Sequence, residues 1–179
     1  DDNNKIFDSF NYTISKGDII GIKGKSGKGK STLIDILCGF QNPSEGKILV
    51  DDKDIFENLK SWQSQIGYVS QDELILDDNL LNNVIFELKD NKNYNYDKEK
   101  FFEALDISQL SNLKNFIDEK KDIQTGEKGS LLSSGQGQRI SIARAIYNSR
   151  PIMIFDEATN ALDLKTEDLI LKAILKWKQ

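Results

Sequence analysis

Gly24-Lys25-Ser26-Gly27-Lys28-Gly29-Lys30-Ser31 fills every fixed position of the pattern G-x-x-x-x-G-K-[ST]. The flanks of this stretch suit that reading. Ile19-Ile20-Gly21-Ile22 ahead of it reads as a short buried strand, and Thr32 to Cys38 behind it has helical character that stops at Gly39. In such a strand–loop–helix, successive backbone N–H groups converge at the helix N-terminus, where the partial positive charge holds a polyphosphate. Gly24 to Thr32 are therefore expected to line the phosphates of a nucleoside triphosphate. Lys30 should reach the outer phosphates, and the Ser31 hydroxyl should ligate a magnesium ion. The competing reading is a Gly/Lys-rich surface turn in which Lys25, Lys28 and Lys30 are merely solvated. The agreement of strand, spacing and helix favours the phosphate loop.

A length of 179 residues suits one domain with a real core, or one domain with a small subdomain. Apolar residues make up 38% and charged residues 30%, the composition of a water-soluble globular chain. A formal charge of −5 and a pI near 4.9 argue against nucleic acid as a partner, since a duplex-binding surface needs a basic excess. The single cysteine, Cys38, excludes an intramolecular disulfide and reads as a buried thiol at a helix end. No apolar run approaches the roughly 20 residues that cross a bilayer, and no signal peptide is visible. There is no histidine, so neither imidazole acid–base chemistry nor His-ligated metal is available in this stretch. The chain begins at Asp1 without methionine and ends inside a helical pattern, Thr166 to Lys178, so it is expected to be cut from something longer.

Along the chain, Ile6 to Ile14 reads as a strand, followed by a turn at Lys16-Gly17-Asp18; Lys47 to Val50 and Gln65 to Val69 are further strand candidates. Helical patterns follow at Asn82 to Leu88, Lys98 to Leu105 and Ser108 to Phe116, with an Asn/Lys-rich loop at Asp90 to Tyr96. Gly135 to Asn148 is a longer helix with Ile140, Ala143 and Tyr147 on one face. Pro151 then precedes Ile152-Met153-Ile154-Phe155, a run of strand length ending in Asp156-Glu157. A buried parallel strand ending in two carboxylates suits a phosphate loop: Asp156 would hold magnesium, and Glu157 would take the proton from an attacking water. Taken alone, the pair would be read as an ordinary acidic turn.

Leu132-Ser133-Ser134-Gly135-Gln136-Gly137-Gln138-Arg139 resembles the signature of ATP-binding-cassette (ABC) ATPases, usually L-S-G-G-Q-x-Q-R. The phosphate loop, Gly67-Tyr68-Val69-Ser70-Gln71, this signature, Ile152–Glu157 and Asn160-Ala161-Leu162-Asp163 follow the family's order and approximate spacing over essentially the whole chain. The resemblance implies an α/β P-loop fold: a mostly parallel sheet core with an antiparallel β element at the N-terminal end and a helical subdomain. The expected division is 1–71 and 149–179 as α/β core and 72–148 as helical subdomain, with Gln71 at the hinge. It also implies that two copies pack head to tail, with each ATP held by one copy's phosphate loop and capped by the other's signature. Ser133, Gly135 and Gln136 would then face the partner's γ-phosphate, Gln71 would join the magnesium shell, Asp163 would link the two sites and Glu157 would be the catalytic carboxylate.

Ile66 to Asp72 followed by Asp78 to Val84, and Thr125-Gly126-Glu127-Lys128-Gly129, are similar to segments of exporter-type members, in which the ATPase is fused to transmembrane domains. The expectation is an ATP-hydrolysing motor of an exporter or flippase, on the cytoplasmic face of a membrane, touching the membrane domains through Thr125–Gly129. The alternative for that segment is a simple Gly-containing turn. Other readings of the whole are a non-hydrolysing cassette, a soluble ABC ATPase and the separate ATPase subunit of an importer. Two departures matter. Ser134 replaces the first signature glycine, where a Cβ narrows the backbone options. The family's adenine-stacking aromatic and switch histidine are expected before Asp1 and after Gln179, so the isolated chain is expected to be a weak ATPase.

Overall fold

The computed structural model describes residues 5–86, 96–114 and 123–177. The chain divides into two compact units, Asp1–Ser64 and Gln65–Gln179.

In the first unit, helix α1 (Lys30–Leu37) ends in a Schellman motif: the Gly39 N–H donates to Ile36 O at 3.0 Å and the Phe40 N–H to Asp35 O at 2.8 Å. Gly39 takes φ +72°, and a Cβ there would lie 2.3 Å from Leu59 Cδ1, so both torsion and space require glycine. Cys38 is buried at this helix end, as expected. Strands β1 (Leu49–Val50) and β2 (Lys53–Asp54) form an antiparallel hairpin. Its two turn residues, Asp51 and Asp52, both have positive φ, the geometry that follows strand twist. Asp54 caps a 3₁₀ turn (Ile55–Asn58), and Asn58 caps helix α2 (Leu59–Gln63). Trp62 Nε1 and Gln63 Nε2 of α2 donate to Leu37 O at 2.8 Å and Cys38 O at 3.2 Å, satisfying carbonyls that the end of α1 leaves open.

In the second unit, strands β3 (Ile66–Val69) and β4 (Ile152–Phe155) pair in parallel, Ile66 opposite Ile152 through Val69 opposite Phe155. Helices α3 (Leu80–Ile85) and α4 (Lys98–Ile107) pack on α5 (Ser134–Asn148), which also lies against β3. Helix α6 (Leu164–Trp177) touches α4. Val69, Leu80, Val84, Phe101, Leu105, Ile140, Ile146 and Ile170 form the core.

The sequence expectations differ from the structure in several places. Ile6–Ile14 and Ile19–Ile22 form no ladder; they run as exposed backbone, with Ile19 67% exposed. A strand exists only through its partner's hydrogen bonds, and none is paired with these runs among the described residues. The antiparallel element of the N-terminal unit is instead the β1–β2 hairpin. Strand β4 is half-buried rather than buried, because a two-stranded ladder leaves an edge on each side. Within the described part of the helix expected at Ser108–Phe116, Gln109 with φ +59° follows the end of α4, Ser111–Leu113 forms a 3₁₀ turn and Lys114 is helical. The ends of the helices expected at Asn82–Leu88, Ser108–Phe116 and Thr166–Lys178, and most of the Asp90–Tyr96 loop, lie outside the described residues.

Candidate nucleotide site

The expected phosphate loop, Gly24 to Ser31, leads into α1. Lys25, Ser26, Gly27 and Lys28 are exposed, and the Lys28 N–H closes a turn on Lys25 O at 3.3 Å. Gly27 and Gly29 have φ +75° and +85°, torsions that a side chain would resist. At Gly29 a Cβ would also meet Ile6 Cγ2 at 2.3 Å. Gly29 caps α1 without any side-chain acceptor, and the first helical bond is Leu33 N–H to Gly29 O at 2.9 Å. The amides of Lys30, Ser31 and Thr32 thus have no partner within the helix and are offered to an acceptor from outside. Lys30 Nζ donates to Gly24 O at 3.1 Å, spanning the loop from its last residue to its first. This set, bare amides, left-handed glycines and one ammonium over the loop, fits a polyphosphate. Ser31 presents an exposed hydroxyl at the second helical residue.

The second unit carries the remaining candidates. β3 and β4 run in parallel, so Gln71, two residues beyond β3, and Asp156-Glu157, directly beyond β4, leave the same carboxyl end of the ladder, where α/β sheets place ligands. The Asp156 N–H donates to Val69 O at 2.9 Å, and its Oδ2 accepts from the Tyr68 hydroxyl at 3.2 Å. Glu157 has φ +49°, a strained torsion for a residue with a Cβ and of the kind that gathers at functional sites. That torsion turns its exposed carboxylate away from the strand direction, where Asn160 Nδ2 donates to Oε2 at 2.7 Å. Gln71 is exposed. Ser31, Asp156 and Gln71 are all hard oxygen donors of the kind magnesium takes alongside phosphate oxygens. Among the described residues no three acidic or cysteine side chains cluster into a metal cage of their own.

The signature is a helix N-terminus stapled to itself. Ser133 Oγ accepts from the Gln136 N–H at 3.3 Å while the Ser133 N–H donates to Gln136 Oε1 at 2.8 Å, a full capping box. Ser134 follows as the first helical residue with no positive φ, so its Cβ carries no backbone cost there. Gly135 faces the Asn160–Asp163 loop: a Cβ on it would lie 3.2 Å from Ala161 O. Gln138 Oε1 accepts from the Ala161 N–H at 3.0 Å. Asp163 caps α6, accepting from the Lys165 and Thr166 amides and from Thr166 Oγ1 at 2.6 Å, bonds that hold its carboxyl below the ordinary aspartate range. Arg139 donates to Gly135 O and to Gln109 O.

Glu73 packs against Gly137, where an added Cβ would meet its carboxylate, and burial raises its pKa. With Ile75, Lys128, Leu132 and Ser133 it lines a pocket of about 240 Å³. Thr125 is fully buried. Its Oγ1 lies 2.7 Å from both Leu76 O and Asp78 O, while Glu127 and Lys128 stand exposed on the following 3₁₀ turn (Glu127–Gly129). Asn83 joins this hub by donating to Leu76 O, and Arg144 of α5 donates to Asn83 O at 2.7 Å. Burial pushes the Arg144 guanidinium down to about 10.

Sequence reasoning had Tyr68, Asn83, Gln138 and Asn160 inside its motifs without a role for any of them, and passed over Glu73 and Arg144; their contacts arise from partners distant in sequence or from backbone geometry.

A model of the ABC transporter family matches residues 7–160. The alpha-hemolysin translocation ATP-binding protein HlyB of Escherichia coli O157:H7 is 39% identical over 175 residues, covering 96% of this chain and 24% of that protein. The ATP-dependent lipid A-core flippase of Ralstonia nicotianae is 34% identical over 174 residues, 97% of this chain and 29% of that protein. Among solved structures, a bacterial Atm1-family ABC exporter with ATP bound matches with a TM-score of 0.75 and 32% identity, over 86% of this chain and 26% of that one. This chain thus spans about a quarter of the length of each of these three proteins.

Proposed function

This chain belongs to the ABC transporter family, and from that premise we propose that it is the ATP-binding and ATP-hydrolysing motor domain of an exporter or flippase. The observation that carries the proposal is the pairing, in one chain, of the bare glycine-capped start of α1 with the exposed, Ser133-capped start of α5. The first suits the chain's own ATP. The second suits a nucleotide presented by another copy, because Ser133 Oγ accepts from Gln136 and keeps its proton to donate to a phosphate oxygen. Two copies packed head to tail would then make two composite sites.

Within each site, the Gly24–Thr32 amides and Lys30 hold the phosphates, and Ser31, Asp156 and Gln71 supply oxygen ligands to magnesium. The ion, when bound, neutralises phosphate charge. Glu157, aimed by its left-handed torsion and Asn160, takes the proton from the attacking water. Ser133, Gly135 and Gln136 cap the partner's γ-phosphate, and Asp163 joins the two sites. Residues 1–71 and 149–179 form the α/β core and 72–148 the helical subdomain. The exposed Glu127 and Lys128, on a segment rooted by buried Thr125, meet the transmembrane domains on the cytoplasmic face of the membrane.

Complementation tests the composite site. Lys30→Ala and Ser133→Arg should each abolish phosphate release alone. Mixed, they leave one composite site intact and should recover part of the parent's MgATP hydrolysis. A parent that hydrolyses beside an inactive mixture overturns the head-to-tail reading.

A further inference from the structure

We propose that Tyr68 is the positioning residue for the magnesium carboxylate Asp156, holding it in the rotamer that a nucleotide-borne ion requires; this rests on the reading of Asp156 as a magnesium ligand. Tyr68 is the third residue of β3 and lies opposite Ile154 in the parallel register. Alternate residues along a strand share a face, so Asp156, two residues past Ile154, continues on the side to which Tyr68 belongs. The hydroxyl reaches Asp156 Oδ2 at 3.2 Å, across 88 positions of sequence, and both residues are half-buried. Among the described residues no hydrogen bond engages the other oxygen, Oδ1. The Asp156 backbone is pinned separately by its N–H bond to Val69 O at 2.9 Å.

The backbone bond fixes where the carboxylate starts, and the tyrosine fixes which way it faces. One oxygen is taken by a donor and the other is left to ligate. A phenylalanine would fill the same place in β3, so packing alone does not call for the hydroxyl. Donors of this kind, one bond behind a ligating carboxylate, orient the ligand and tune its basicity, and their loss costs about 10–100-fold in metal affinity.

The test is Tyr68→Phe, with Asp156→Asn beside it, read by calorimetric titration of ATP across a series of Mg²⁺ concentrations and in EDTA. For Tyr68→Phe we expect the Mg²⁺ concentration that half-restores tight ATP binding to rise about 10–100-fold. Its affinity for ATP in EDTA should match the parent's. An unchanged Mg²⁺ requirement in Tyr68→Phe, with a raised one in Asp156→Asn, overturns the role of Tyr68 and leaves Asp156 in place. An unchanged requirement in Asp156→Asn overturns the magnesium reading itself. Equal loss of affinity with and without Mg²⁺ in Tyr68→Phe makes the tyrosine a packing residue and also defeats the proposal.

Discussion

Helices α1 and α5 both begin at a motif of the family, and they begin in opposite ways. Gly29 starts α1 in a left-handed torsion and gives its amides no side-chain acceptor, while Ser133 and Gln136 satisfy the first turn of α5 by bonding to each other. The α1 terminus is made from backbone: Lys25, Ser26 and Lys28 are exposed, and the glycine torsions shape the loop. The α5 terminus and the carboxylates of its unit are held by side chains: Ser133 and Gln136 each accept from the other's backbone N–H, Asn160 donates to Glu157 and Gln138 accepts from the Ala161 N–H. A bare terminus is poised for a tightly held anion. A self-capped one is already stable and offers a hydroxyl to an anion brought to it. Affinity should therefore reside at α1, and turnover in the second unit.

The largest effect should separate those two properties. Glu157→Gln should slow phosphate release by about 10²–10⁴-fold, the usual contribution of a positioned general base. Calorimetric MgATP affinity should stay near the parent's; a matching loss of affinity would erase the division between the two regions.

Lys30→Ala should lose affinity as well as phosphate release. Removing a charged donor to a phosphate costs about 1.5–3 kcal/mol, roughly 10–100-fold in affinity. Undiminished MgATP binding by calorimetry would take α1 out of the role assigned to it.

Glycine substitutions sharpen the contrast. Gly29→Ala forces a Cβ into φ +85° and against Ile6, and should cost about 1–3 kcal/mol in urea unfolding. Ser134→Gly, which restores the usual signature residue, should change stability by less than about 1 kcal/mol, because Ser134 is already in ordinary helical conformation. Similar costs at both sites would mean that the two termini are not built differently. Ser133→Ala removes the α5 cap and should lower stability by about 0.5–2 kcal/mol.

The smallest effect is a pH dependence at the next helix start. Asp163 is held below its ordinary pKa by Thr166, so its ionised form adds stability above about pH 4 that is lost as the pH falls through the depressed value. Asp163→Asn keeps a capping side chain but removes that charge. Urea midpoints of parent and variant should therefore differ at pH 7 and converge toward pH 3. A constant gap would assign the lowered pKa no part in stability.

Much of this was legible before any coordinates. Lys30–Leu37, Ile66–Val69, Ser134–Asn148 and Ile152–Phe155 lie within a few residues of where periodicity and turn chemistry predicted elements. The loop conformation at Gly24 to Ser31 was legible because its geometry is local: the glycines, Lys30 and the helix that follows lie within eight residues. The Ser133–Gln136 capping box sits inside the signature for the same reason.

Tertiary structure decided what depends on distant partners. Ile6–Ile14 and Ile19–Ile22 carry strand-like composition, yet composition cannot supply the second row of hydrogen bonds that makes a strand. Tyr68 had no role of its own within the Gln65–Val69 strand and the Gly67–Gln71 motif until the parallel register set its hydroxyl beside Asp156. Thr125–Gly129 read as a contact to membrane domains, with a Gly-containing turn as the alternative, and neither reading foresaw that Thr125 is buried under the Leu76 and Asp78 carbonyls. By itself the sequence determined the local torsions, the order of the motifs and their kinship with the ABC family. Only the folded chain decided which donor meets which carboxylate, because those bonds join residues that nothing but the packed sheet and helices brings together.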